Sequence, residues 1–270
     1  MVSREKALSA QVRLAVEDGV AVVTLCNPAR LNALTRAMWR ELRAVFEQIQ
    51  AAADIRCVLL CGEGGHFCAG GDIAEYPAFR FDAASLRAFH EGDVWGGLQA
   101  MLDCDVPMIA AIEGSCMGAG VELACCCDIR LASEGARFGA PIARLGFPMA
   151  PRELALVMRV AGEASARQML LEAAFVDAAE MKARGFLHQV LPAGELMAHA
   201  LERAQRVASL APQAARWNKR IFRALNVDKA QSGQALSAIE SIVSEAYDYA
   251  DSAEHREGIA AFLDKRPARF

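Results

Sequence analysis

For the first three quarters of this chain, short runs of aliphatic and β-branched residues alternate with stretches of helical periodicity, and then the strand-like runs stop. Runs at 12–16 and 20–25 flank the turn dipeptide Asp18-Gly19 and predict a β-hairpin. Thr35 stands at the cap position of a helix in which Met38, Leu42, Val45, Phe46 and Ile49 recur at helical spacing. Residues 57–61, 108–112 and 129–132 read as buried strands, and 84–102 as one long helix. Strands alternating with helices argue for an α/β fold built of βα units around a largely parallel sheet. From about residue 195 only amphipathic helical patterns remain, at 193–210, 213–225, 230–249 and 253–265. No Ser/Gly-rich linker and no internal repeat separates the two regions. The expected organisation is a core, 1–192, carrying a helical region, 193–270, within one functional unit.

Composition removes several classes of function. Hydrophobic residues make up 54% and charged residues 23%, which excludes disorder, collagen and coiled coil as the main theme. A net charge of −4 argues against a nucleic-acid or anionic-membrane partner. No apolar run approaches the ~18 residues of a membrane span, and the first ten residues carry no apolar core of a secretory signal. The nine cysteines are an odd set with three adjacent at 125–127, a pattern of reduced thiols in a cytoplasmic protein. No C-x₂-C pair with partner ligands is present, so no metal site is expected. The segment GAGVEL at 118–123 lacks the third small residue of a dinucleotide fingerprint, and no Gly-Lys-Ser/Thr follows a glycine loop.

Two glycine-rich segments invite a different chemistry. HFCAGGDI at 66–73 and GSCMGAGVEL at 114–123 each follow a predicted strand and precede a predicted helix. Backbone amides there have no intrahelical partner. Two of them converging on one point form an oxyanion hole, reinforced by the helix dipole. Glu122 falls about one turn into the second helix, close enough to serve as a base beside such a hole. Tight-turn glycines and a solvated helix glutamate account for the same spacing.

Further segments carry a resemblance: NPARLNAL at 27–34, FCAGGDI at 67–73, PMIAAIEG at 107–114, MGAGVEL at 117–123, CDIR at 127–130, Phe138-Gly139 and FLDKR at 262–266. Together these ordered segments resemble the crotonase (enoyl-CoA hydratase/isomerase) family from about Val12 to Phe270. The resemblance implies a spiral of ββα units followed by helices, assembled as a homotrimer or a dimer of trimers. It implies an acyl-CoA thioester substrate whose carbonyl sits between the amides of Gly71 and Ala119, with Glu122 as acid/base. It further implies that the coenzyme A arm, part of the substrate rather than a cofactor, runs past Arg30, Leu31 and Ala33 and past Ala69, Gly71, Asp72 and Ile73. Lys265 near the chain end is implied to approach coenzyme A from a neighbouring subunit.

One departure from the family pattern is informative. Its hydratases place a second glutamate shortly after Phe-Gly-x-Pro, and here FGAPIARLG at 138–146 puts Ile142 in that place. Isoleucine neither accepts nor donates a proton, and the following stretch, FPMAPRE at 147–153, is also rewritten. Two functional readings follow: a hydratase or isomerase working with one clear glutamate, or a CoA-thioester-binding member with lost or altered catalysis. Among other polar candidates, Arg144 can orient a polar acyl group or make a structural ion pair. Glu153 can swing into the site or serve as a helix-start carboxylate, His90 can be an acid or base near the pocket or a residue of an amphipathic helix, His66 an acid or base near the pocket or a loop histidine, and Asp72 reads first as a cap. Cys116-Met117-Gly118-Ala119 looks like the nucleophile segment of Clp-type serine proteases, but no histidine stands where a base is needed, near Gly139.

Overall fold

The computed structural model describes residues 10–225, 242, 243, 245 and 247–270. A six-stranded sheet runs in the order β1-β2-β3-β4-β6-β9. β1 (Gln11–Glu17) and β2 (Val20–Cys26) form the expected antiparallel hairpin, turned by Asp18 and Gly19 at φ 48° and 77°. Positive φ at both central residues is the turn that matches the right-handed strand twist. β3 (Cys57–Gly62), β4 (Met108–Ile112), β6 (Ile129–Ser133) and β9 (Gln189–Leu191) then add in parallel.

The unbroken apolar run of β3 is explained by burial on both faces. Val58 and Leu60 face one cluster with helix α1 (Arg36–Ala51), while Cys57, Leu59 and Cys61 face a second cluster. That second cluster is completed by Leu196, Ala200, Ala204 and Ala208 of α8 (Leu196–Ala208). A parallel strand covered by helices on both sides has no polar face to alternate with. Thr35 caps α1 as expected, its hydroxyl accepting from the Met38 amide at 3.2 Å, and Met38, Leu42, Phe46 and Ile49 are buried.

The long helix predicted at 84–102 is broken into three. α2 (Ala83–Ala88) leads into a π-helical turn, Phe89–Val94, and then α3 (Trp95–Asp103). The extra residue per turn rotates Phe89 and Val94 into the core, which an unbroken α-helix would not. A second, three-stranded sheet, β5 (Ser115–Met117), β7 (Arg137–Gly139) and β8 (Phe175–Asp177), was not legible in the sequence. Runs of three residues are too short to display a period of two. Between and after these strands lie α4 (Ala119–Cys126), α5 (Pro151–Ala161), α6 (Glu163–Leu171) and α7 (Ala178–Ala183).

Among the described residues no strand follows β9. Beyond α8 come α9 (Pro212–Leu225) and α10 (Ala253–Leu263), while the helix expected at 230–249 falls largely outside the described residues. α9 docks on the core through cations. Lys219 donates to the Val106 carbonyl at 2.8 Å and pairs with Asp128 at 2.9 Å, and Arg223 pairs with Asp105 at 2.7 Å. Among the described residues no helix is long and apolar enough to cross a membrane.

Candidate active site

The two glycine-rich segments are drawn together by backbone pairing. The Cys68 amide donates to the Ser115 carbonyl at 2.9 Å, and the Met117 amide returns a bond to the Cys68 carbonyl at 2.8 Å. The first segment therefore lies alongside β5, and the chain turns from β5 straight into α4. At that turn Gly118 adopts φ 49°, ψ −111°, a conformation an L side chain rarely takes. Its amide donates to the Gly139 carbonyl at 2.8 Å, which fixes the start of α4 against β7. At the far end of α4 the buried guanidinium of Arg130 donates to the carbonyls of Ala124 (3.4 Å) and Cys127, and it stacks on Phe186. A cation on the last carbonyls of a helix satisfies orphan acceptors and complements the dipole.

Between these segments opens a cavity of about 380 Å³. Gly71 and Ala119 both line it. Among the described residues neither amide donates to a protein acceptor, whereas the neighbouring amides of Asp72 and Gly118 do. The Ala119 amide is the first of α4, at the positive end of the helix dipole. Alanine in that position keeps the donor that glycine would supply. The rest of the wall is mainly apolar. Tyr76 meets Phe79, Phe89 and Phe147 edge-on at 5.8–6.4 Å between ring centroids, and Arg80 covers Phe147 at 3.5 Å.

Glu122 lines the same cavity and is only 8% exposed, so it is not a solvated helix residue. Its carboxyl makes no hydrogen bond to another described residue. Burial, and then the charge of Glu153, raise its pKa to about 8. Glu153 itself is buried at 3% exposure, in the first turn of α5, which packs on α4. His90, on the π-helical turn, reaches it with Nδ1 3.0 Å from Oε1. For both residues the structure decides between the two readings that the sequence leaves open, placing them in the wall of the cavity that Glu122 lines. Their local sequence leaves the choice open, because only the π turn and the α4–α5 packing bring them into the pocket.

Of the residues singled out from the sequence, Leu31, Ala69, Gly71, Ile73, Ala119 and Glu122 meet around this one cavity. Ile142 lines it too and packs against the main apolar cluster. Ala33 is buried but does not line it. Asp72 caps the 3-10 turn Ile73–Ala78, accepting from the Ala74 amide at 3.1 Å, with the exposed Arg30 guanidinium 3.9 Å away. Lys265 follows α10, outside the cavity. Arg144 donates to the Ala173 carbonyl at 3.0 Å and lies over Phe175, a structural role. His66 accepts from the Ser115 amide through Nδ1 at 3.2 Å and helps hold the two segments together.

All nine cysteines are buried and unpaired, with burial pushing Cys68, Cys125 and Cys127 up to about 12. Thiols so far above neutral pH are packing groups, Cys116 included. Among the described residues no group of three His, Cys, Asp or Glu is placed to hold a metal ion. Roomier clefts near α9 and α10 hold Glu254 and Glu257, but these are engaged by the Gln213 and Ala214 amides and by Arg266.

The α/β core built around this cavity has the fold of the crotonase class. The chain belongs to the enoyl-CoA hydratase/isomerase family, whose model matches residues 15–270. It is 32% identical over 258 residues to the short-chain-enoyl-CoA hydratase of Clostridium acetobutylicum, covering 94% of this chain and 95% of that one. The crystal structure of an enoyl-CoA hydratase/carnithine racemase from Magnetospirillum magneticum superposes with TM-score 0.89 at 38% identity, covering 96% and 94% of the two chains. That of the Bacillus anthracis enoyl-CoA hydratase gives 0.84 at 26% identity, covering 96% and 98%.

Proposed function

We propose that this enzyme acts on an enoyl-CoA thioester through an enolate held by the amides of Gly71 and Ala119, with Glu122 moving the proton at the carbon beside the carbonyl. The observation that carries this reading is the convergence of two unpaired amides and one buried carboxyl on a single apolar cavity. The thioester oxygen accepts from both amides. As negative charge moves onto that oxygen, preorganised donors at a helix start stabilise it without reorganising. A carboxyl with a pKa of about 8 is suited to giving and taking a carbon-bound proton near neutral pH.

The coenzyme A arm leaves along Leu31, Ala69 and Ile73, with Arg30 at its phosphates. Lys265 reaches it only from a neighbouring subunit of a trimer or dimer of trimers. The substrate carries its own coenzyme A, so the chemistry calls for no separate cofactor, and the enzyme works in the cytoplasm.

The test is Glu122→Gln. Calorimetry should show acyl-CoA binding largely kept, while turnover falls by about 10²-fold or more. Full activity in that variant would remove Glu122 from the mechanism. Ile142 favours a second reading, a thioester-binding protein with lost catalysis. A panel of enoyl-CoA esters decides, with water addition followed by loss of the conjugated thioester absorbance and double-bond migration followed by product analysis. Substantial turnover on any ester ends the binding-only reading.

A further inference from the structure

We propose that Glu153, held by His90, is the second acid–base group of this pocket and takes the proton from the attacking water, the task that Ile142 is unable to perform. The inference rests on the reading that the enzyme adds water to an enoyl-CoA.

A structural carboxylate at a helix start puts its oxygens on free backbone amides. Asp82 and Asp177 show the ordinary pattern, each accepting from a backbone amide three residues on at 2.8 Å. Those two are capping residues; Glu153 is the third residue of α5, where a structural carboxyl would instead reach back to the amide of the capping residue Ala150, and it does not. Among the described residues it accepts from no backbone amide and pairs with no lysine or arginine. The adjacent Arg152 points away, 3.3 Å from Glu91 and over the Trp95 ring. Glu153 is nonetheless 3% exposed and lines the cavity that Glu122 lines. A carboxyl buried with a single partner is costly for a residue that only packs. That partner is His90, with Nδ1 3.0 Å from Oε1. Two acceptors do not face each other at that distance, so a proton lies between them. With the carboxylate ionised the proton is on Nδ1, and the second carboxylate oxygen is left to accept another. His90 is delivered by the π-helical turn Phe89–Val94, the break in an otherwise regular helix.

The proton count closes. Before reaction the two carboxyls hold one proton, on Glu122. As the water oxygen bonds the β-carbon, Glu153 takes a proton from that water, and the electrons of the double bond move to form the enolate. Glu122 gives its proton to the α-carbon, the carbonyl re-forms, and the pair again holds one proton, now on Glu153. Transfer back to Glu122 resets the site. His90 positions the base and does not touch substrate.

Two assays on the full-length enzyme separate this role from the underlying reading. Hydration of a trans-2-enoyl-CoA uses both carboxyls. Solvent-deuterium exchange at the α-carbon of the saturated acyl-CoA uses only Glu122 and the two amides. Glu153→Gln should lower hydration at least ~30-fold more than it lowers exchange, with KM within about threefold. His90→Gln should lower hydration kcat by about tenfold at unchanged KM. Returning the carboxyl to the other wall in Ile142→Glu/Glu153→Gln should raise hydration at least ~tenfold over Glu153→Gln without raising exchange, and no gain there would mean that Glu153→Gln loses something other than a water base. If Glu153→Gln keeps more than about a third of hydration, or loses both reactions equally, Glu153 is not the water base. A wild-type enzyme lacking both reactions would instead overturn the hydratase reading beneath it.

Discussion

At Glu122 the environment sets both the proton affinity of the carboxyl and a cost in stability. Its folded pKa of about 8 lies well above the ordinary carboxylate value, raised first by burial and then by Glu153. The native state therefore binds more protons than the unfolded chain from the ordinary glutamate range up to about pH 8. Stability falls as pH rises through that window, by up to about 1.4 kcal/mol per pH unit. Glu122→Gln removes the titration. Its thermal midpoint should exceed the wild type's by a margin that is small near pH 5, grows toward pH 8 and then levels off. A margin that does not vary with pH would mean that Glu122 titrates as a solvated residue. The place of Glu122 could be read in advance because its distance from Ala119 along one helix is local geometry. Glu153 could be named only as one alternative, since its neighbours lie about sixty residues away at His90 and on another helix at Glu122.

Among the elements, the turn from β5 into α4 carries more than its length suggests. Gly118 at φ 49°, ψ −111° is held between the bond to Gly139 and the first turn of α4. Gly118→Ala should cost about 1–3 kcal/mol of strain and also lower kcat, because relief of the strain moves the Ala119 amide. Thr35→Ala removes the cap of α1 at a comparable cost of about 1 kcal/mol and should leave kcat unchanged. Thermal melts read beside steady-state kinetics separate the two, and an equal loss of kcat in both would detach the Gly118 turn from the chemistry. Hairpin, cap and long strands were legible because each is a local pattern. The three-residue strands and the π turn were not, because β5 and β8 form only as β7 comes between them and the π turn leaves no period in the sequence.

For the whole molecule, the helical end is tied to the core on one side and open on the other. α9 buries little apolar surface and docks through Lys219 and Arg223, while Phe222 and Phe262 stand 65% and 82% exposed. Exposed aromatic residues on the region expected to bridge subunits suit a homo-oligomer. Sedimentation should return a mass three or six times 29.0 kDa, and Phe262→Asp should shift it toward the single chain. A wild-type mass of one chain would leave Lys265 without a route to a neighbouring pocket.

The sequence by itself determined the α/β class, the hairpin, the two-faced buried strands, the change to helices after residue 192 and both amide-bearing segments. All of these are written in short-range periodicity, turn residues and one-turn spacings. The tertiary structure alone decided which polar groups share the cavity. It brought Glu153 and His90 beside Glu122, turned Arg144 to a backbone carbonyl and left Ile142 in the wall. Side chains far apart along the chain meet only through packing, and the burial that shifts Glu122 exists only once α4, α5 and the π turn have closed around it.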